Sequence, residues 1–290
     1  MMPDTDTVQP PRRSLLFTPA NRPAAFAKAL ASGADIACID LEDAVPQAAK
    51  DASRPDGVGF LSAADPAHPV QRALRINALG TAMGLRDMVA VIGAAPQHGL
   101  LMLPKTEAAR DLFLADRLLA EAGSGLGLAA IIESLEGLEA VAEIAAATPR
   151  LRLLIFGAID LSAEMGIAPT PAAMAYARGK IVAAGRRAGV DVMDVPSLDV
   201  HNLDAVRDAA NVARDLGFTG KAAIHPAAVA VINAAFTPGA DEIVEAQEII
   251  ALYEAAPSGL ALRGGHLIEA PVVKAMRKRL AMAARAGQGT

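Results

Sequence analysis

At 290 residues the chain has the length of a single α/β barrel, and a hydrophobic share of 53% supplies a large core. Trp is absent, Tyr occurs twice and the net charge is −5. These values exclude base-stacking platforms and a broad basic face, so no nucleic-acid partner is expected.

The N-terminal MMPDTDTVQPPRR carries acids and prolines where a signal peptide needs a basic start and an apolar stretch. No apolar run nears the ~18–20 residues of a bilayer span. The expectation is a cytoplasmic protein without a membrane partner, with residues 1–11 as a disordered tail. The lone cysteine, Cys38, cannot form an internal disulfide and reads as a buried core thiol.

From residue 12, short apolar runs alternate with Ala-rich helical stretches. The runs are SLLFT (14–18), DIACID (35–40), ALRIN (73–77), GLLMLP (99–104), LGLAAIIE (126–133), LRLLIFG (151–157), VDVMDV (190–195) and KAAIH (221–225). Both faces of these runs are apolar, as in parallel strands covered by helices. Eight β-α units predict a (β/α)8 TIM barrel over 12–238, and no GxGxxG follows the first strand to suggest a dinucleotide fold. Residues 239–290 depart from the pattern. They read as an amphipathic helix, a flexible glycine-containing stretch (PSGLALRGGH, with a hinge at Ser258–Gly265) and a basic helix, together a C-terminal helical lid.

The stretch CIDLEDAV (38–45) places Asp40, Glu42 and Asp43 directly behind an apolar run. Like charges at a strand end need an offsetting positive charge. Barrel chemistry gathers at the carboxyl ends of strands, and polar residues collect there. They are the three acids of strand 2, Arg75 and Asn77 on strand 3, Lys105 after strand 4, Glu133 after strand 5, Asp160 after strand 6, Asp194 on strand 7 and His225 after strand 8. Glu133 and Asp160 stand 27 residues apart, about one β-α-β repeat, which puts them on neighbouring strand ends. Two carboxylates so placed suit a hard, partly hydrated divalent cation, and Mg²⁺ is the ion expected. Plainer readings exist for each residue. Glu133 or Asp160 can cap the following helix, Arg75 can pair with a strand-2 acid, and His225 can bond a loop carbonyl.

These stretches resemble the citrate lyase β-subunit family, which includes malyl-CoA and citramalyl-CoA lyases. The resemblance runs through RRSLLFTPANR (12–22), DLEDAV (40–45), RIN (75–77), LPKTE (103–107), IIESLEG (131–137), FGAIDLSAEMG (156–166), GFTGKAAIHP (217–226) and APVVKA (270–275). It implies a Mg²⁺-dependent barrel that makes or breaks a carbon–carbon bond β to a CoA thioester, and a homo-oligomer, trimeric or hexameric. It implies Glu133 and Asp160 as metal ligands, and Arg75 as clamp for the substrate carboxylate. Asn77 and Lys105 join the substrate site, and Glu42 and Asp43 act from the metal's outer shell. The family's lid aspartate, an acid/base that reaches a neighbouring subunit, is replaced here by Glu269 in HLIEAPVVKA. Three other functions compete. One is hydrolysis of a related thioester, another is aldol cleavage of small 2-oxo acids without CoA, and the third is a non-catalytic subunit or acyl-carrier partner.

Overall fold

Eight of the apolar runs become eight parallel strands, each bonded to the next and the last to the first. The computed structural model describes residues 11–256 and 260–287. The first half of the barrel comprises β1 (Ser14–Pro19), α1 (Phe26–Leu30), β2 (Ile36–Asp40), α2 (Lys50–Ser62), β3 (Gln71–Arg75), α3 (Ala82–Ala94), β4 (Leu100–Leu103) and α4 (Ala109–Glu121). The second half comprises β5 (Gly127–Ile132), the paired short helices α5 (Leu135–Glu139) and α6 (Val141–Ala145), β6 (Leu151–Phe156), α7 (Ala158–Met165) and α8 (Ala175–Ala188). It is completed by β7 (Asp191–Asp194), α9 (Leu203–Leu216), β8 (Gly220–Ala223) and α10 (Ala227–Phe236). The closed sheet is the predicted (β/α)8 barrel. The expected tail at 1–11 lies, apart from Pro11, outside the described residues.

Register and side-chain alternation decide what each strand offers to the barrel interior. One set of buried side chains fills it: Leu15, Ile36, Cys38, Ala73, Leu100, Met102, Ala129, Ile131, Leu153, Ile155, Met193 and Ala222, with Phe17 against them. Successive strand residues point to opposite faces. Asp40 therefore continues the inward row of Ile36 and Cys38, and Arg75 that of Ala73. Glu133 continues Ala129 and Ile131, and Gly157 continues Leu153 and Ile155. Asp40 and Arg75 are also direct partners in the β2–β3 register. Cys38 is fully buried in this row as expected, and burial pushes its thiol pKa well up. A buried neutral thiol is inert.

The chain divides into two units, Arg12–Asn233 and a second that holds Ala234 onward. In the second, α11 (Ala240–Glu254) and α12 (Ala270–Arg285) pack Ile249, Ile268 and Val273 together, with Tyr253 and Met276 against them. Residues 260–268 differ from the flexible stretch expected. They hold an antiparallel hairpin, β9 (Ala261–Arg263) and β10 (His266–Ile268), closed by Gly264 and Gly265 at positive φ. Two consecutive glycines at positive φ make a tight hairpin turn, so they order this segment. Arg263 anchors the hairpin to α11 through Glu245 at 3.3 Å and Glu248 at 2.7 Å. The hinge expected at Ser258–Gly265 falls partly outside the described residues. The stretch 227–254 has the length and hydropathy of a membrane span, but its backbone breaks between α10 and α11 around Pro238.

Candidate active site

The inward rim row forms the floor of a cavity of about 410 Å³ lined by Phe17, Asp40, Asp43, Arg75, Glu133 and Asp160, among others. Arg75 carries the densest set of its polar contacts. Its Nε donates to Asp40 Oδ1 at 2.7 Å and its Nη2 to Asp40 Oδ2 at 2.5 Å, a bidentate fork. Nη1 lies 2.8 Å from Glu42 Oε2 and 3.8 Å from Asp43. The guanidinium also lies 4.9 Å from the Phe17 ring. Burial opposes its charge, but Asp40 and Glu42 outweigh burial and raise its pKa above the ordinary value. Asp40 is itself saturated, because its oxygens also accept from the N–H groups of Glu42 (2.9 Å) and Ala44 (3.2 Å). The structural pairing weighed for Arg75 is thus present, with Asp40 as the principal partner.

Glu42 is less well served. Its Oε2 sits at ion-pair distance from Arg75 without hydrogen-bond alignment, and Lys105 Nζ is 3.9 Å from Oε1. Burial pushes its carboxyl up to about 8, with Arg75 pulling down and Asp43, Glu133 and Asp40 pushing further up.

Glu133 directly follows β5 and is buried, and its Oε1 accepts from the Lys105 backbone N–H at 2.8 Å. That N–H is aimed by Lys105 at φ 49°, a left-handed conformation that is uncommon for a side-chain-bearing residue. Strained backbone of this kind concentrates at functional sites. Gly157 completes the seat, since a Cβ there would lie 2.4 Å from Glu133 Cβ and 2.8 Å from its Oε2. Burial raises the Glu133 pKa, and Lys105 N–H and Arg75 counter it. Glu133 does not cap α5, because Ser134 holds that place and accepts from Gly137 N–H. Asp160 lies in the first turn of α7 rather than at its cap, 44% exposed, with Lys105 Nζ at 3.8 Å. The Lys105 pKa is raised; burial opposes this, but Glu42 and Asp160 prevail.

Five carboxylates (Asp40, Glu42, Asp43, Glu133 and Asp160) thus face two cations, Arg75 and Lys105. Among the described residues no group of three or more His, Cys, Asp or Glu side chains is preassembled around a metal position. Two carboxylates on one cavity wall with a surplus of negative charge still suit Mg²⁺, which keeps several waters and takes one or two protein carboxylates. The residues therefore fit such an ion.

Not every expected residue reaches this cavity. Asn77 is buried below it, accepting from Lys50 and donating to Asp87 Oδ2 (2.6 Å) and Leu41 O (3.1 Å). Asp194 has the wrong parity for the rim and lines a different cavity. His225 is exposed and accepts from Ala227 N–H at 3.2 Å, a turn role on its own loop. Glu269 is the exposed N-cap residue of α12 and makes no side-chain capping bond. The residue that sequence reasoning missed is Gly157 as the seat of Glu133, and it also left open which strand-2 acid, Asp40, pairs with Arg75. The signals were the period-2 step from Cys38 to Asp40 and a glycine immediately after β6.

The HpcH/HpaI aldolase/citrate lyase family matches residues 13–226. The chain belongs to that family. It is 33% identical to an L-malyl-CoA/beta-methylmalyl-CoA lyase of Cereibacter sphaeroides, over 91% of this chain and 92% of the relative. It is 32% identical to a citrate lyase subunit beta-like protein of Mycobacterium tuberculosis, covering 95% and 96% respectively. Among solved structures, RipC from Yersinia pestis superposes with a TM-score of 0.71 at 43% identity, covering 82% of this chain and 100% of that one. The protein CitE from M. tuberculosis, in complex with magnesium, acetoacetate and coenzyme A, superposes with a TM-score of 0.80 at 30% identity, covering 94% and 98%. This family member is therefore an enzyme whose relatives include lyases of CoA thioesters.

Proposed function

We propose that the protein is a Mg²⁺-dependent carbon–carbon lyase that splits a β-hydroxyacyl-CoA of the malyl, citramalyl or citryl type into a 2-oxo acid and an acyl-CoA. The observation that carries this reading is the convergence of Glu133 and Asp160 on one cavity wall with an unbalanced negative surround. Glu133 and Asp160 would hold the ion, which when bound supplies Lewis-acid polarisation of the substrate's hydroxyl and carbonyl oxygens. In the cleavage direction the β-hydroxyl loses its proton and the Cα–Cβ bond breaks. The bond's electron pair passes into the thioester as an enolate, which a proton then quenches.

Arg75 is assigned to the substrate carboxylate. In the resting site its fork is held by Asp40, so substrate must share or exchange that partner, which orients the guanidinium before substrate arrives. Glu42 and Asp43 shape the field around the ion, and Lys105 screens Asp160. Glu269 is the assigned acid/base of the lid, on a soluble, cytoplasmic homo-oligomer, a trimer or a hexamer, in which lids serve neighbouring sites. Its exposed, uncapped carboxylate suits a group that meets its partners elsewhere.

A panel of malyl-, citramalyl- and citryl-CoA, assayed with and without Mg²⁺ for 2-oxo acid release, tests the reading. Release from at least one ester, abolished by chelation, is expected. Free CoA appearing without any 2-oxo acid would show hydrolysis instead. Light scattering on the same preparation should show an oligomer, and a monomer would contradict the shared lid.

A further inference from the structure

On the outer side of the strand wall the charge balance is reversed. Met193 and Ala222 fill the barrel interior, so alternation turns their neighbours Asp194 and Lys221 outward, between strands and helices. There they meet Arg178 from the second turn of α8. Lys221 Nζ donates to Asp194 Oδ2 at 2.9 Å and to Val195 O at 2.6 Å. Arg178 Nη2 lies 3.1 Å from Asp194 Oδ1, and the guanidinium rests 5.3 Å from the Phe218 ring. Arg178 is 4% exposed, and Asp194 and Lys221 are 2% exposed each. Two cations share one carboxylate, and both the buried Arg178 Nε and Asp194 Oδ1 lack a hydrogen-bond partner, Oδ1 meeting Arg178 only at ion-pair distance. A buried cluster with one positive charge left over is costly unless an anion joins it.

This triad lines a cavity of about 430 Å³ whose other walls are mostly apolar, with Pro169, Met174 and Val212 on one side and Pro196 and Leu198 where it adjoins the catalytic cavity. Leu198 and Val212 are 66% and 43% exposed, so the cavity opens to solvent on that side. We propose that it binds an amphiphilic monocarboxylate. The carboxylate sits on Arg178 and Lys221, and a short hydrocarbon body lies along the apolar wall. A single negative charge neutralises the triad. A dianion such as phosphate would leave a buried negative charge, and exposed Asp208 on the cavity lining would repel it further. A neutral alcohol of the same length can accept from Arg178 Nε but leaves the surplus positive charge of the triad unmatched. The volume lies within the range of small-molecule pockets.

The test uses metal-free protein without any CoA ester, so its outcome does not depend on the lyase reading. Titration calorimetry and ligand-observed NMR would compare octanoate with octanol, acetate and phosphate. Octanoate is expected to bind about tenfold more tightly than octanol, the worth of one charge-assisted contact. Acetate and phosphate should bind more weakly still. Arg178→Met leaves Asp194 paired with Lys221 and should weaken octanoate about tenfold. If that variant does not fold, Val212→Trp decides, because it fills the apolar wall from an exposed position without touching the triad. Glu133→Gln should bind octanoate like the wild type. Equal binding of octanol, or wild-type octanoate affinity in Val212→Trp, would overturn the proposal. So would a loss shared by Glu133→Gln, which would place the ligand in the catalytic cavity.

Discussion

The barrel's inner rim and the outer triad are built from the same ingredients at the same end of the same sheet, yet their electrostatics are opposite. Inside, five carboxylates surround Arg75 and Lys105, which leaves negative charge to be matched. Outside, Arg178 and Lys221 share only Asp194. Residue type does not separate the two, since each holds Arg, Lys and Asp. Parity does. Asp40 lies an even number of residues from Ile36 and points inward, whereas Asp194 is adjacent to inward Met193 and points outward. A charge at a strand end is thus assigned to the cation-seeking or the anion-seeking chamber by one residue of register.

The largest expected effect of breaking the inner network comes from Arg75→Lys. An ammonium cannot reproduce the fork on Asp40, so the saturated carboxylate loses one of its partners while buried. Removing one side of a buried charge-assisted pair costs about 2–5 kcal/mol. The expected result is a fall of roughly that size in urea-measured stability, together with a loss of catalytic efficiency of about 10²-fold or more. Unchanged kcat/KM would remove Arg75 from substrate binding, and unchanged stability would remove it from the rim network.

Glu42 sharpens the comparison through pH. Its carboxyl is raised from an ordinary value of 4.5 to about 8, with burial the leading cause. A raised folded-state value means the fold prefers the protonated form. The stability it confers is present below about pH 4.5 and is lost as pH climbs through about 8. Metal-free protein should therefore lose a few degrees of Tm over that window. The slope should flatten in Glu42→Gln, and also on adding Mg²⁺ if the ion supplies the missing positive charge. Arg75 and Lys105, the cations that face Glu42, stay charged throughout that window and so do not supply the slope.

The most conservative change is Glu269→Asp, which shortens the carboxylate proposed as the acid/base by one methylene. A shift of about 1 Å at a reacting group can cost on the order of 10²-fold, so the sign is the result of interest. A lower rate on the native ester means the site is fitted to Glu. A higher rate on malyl- or citramalyl-CoA means Glu269 is a weakened form of the family residue. Steady-state kinetics of the two proteins on both esters reads this out.

The barrel was legible because each strand is a short, doubly apolar run between helical repeats, and the helices at 240–254 and 270–285 were legible for the same reason of periodicity. The rim acids, Arg75, Glu133 and Asp160 were found as polar residues following apolar runs. What composition hid was direction. Asp194 follows an apolar run as the mouth residues do, but its parity sends it outward, and Asn77 ends the same run as Arg75, but Asp87 of α3 draws it into a buried bond. Tertiary partners distant in sequence decide such cases, and so does the Gly264–Gly265 turn, which ordered a segment that composition alone marked as flexible.

The central claim, that the surplus of negative charge on the inner rim is a divalent-cation site, is tested most directly by calorimetric titration of Mg²⁺ into metal-free wild type, Glu133→Ala and Arg178→Met. Saturable binding is expected in wild type, its loss together with turnover in Glu133→Ala, and wild-type affinity in Arg178→Met, whose charge lines the other cavity. Unaltered Mg²⁺ affinity in Glu133→Ala would contradict it.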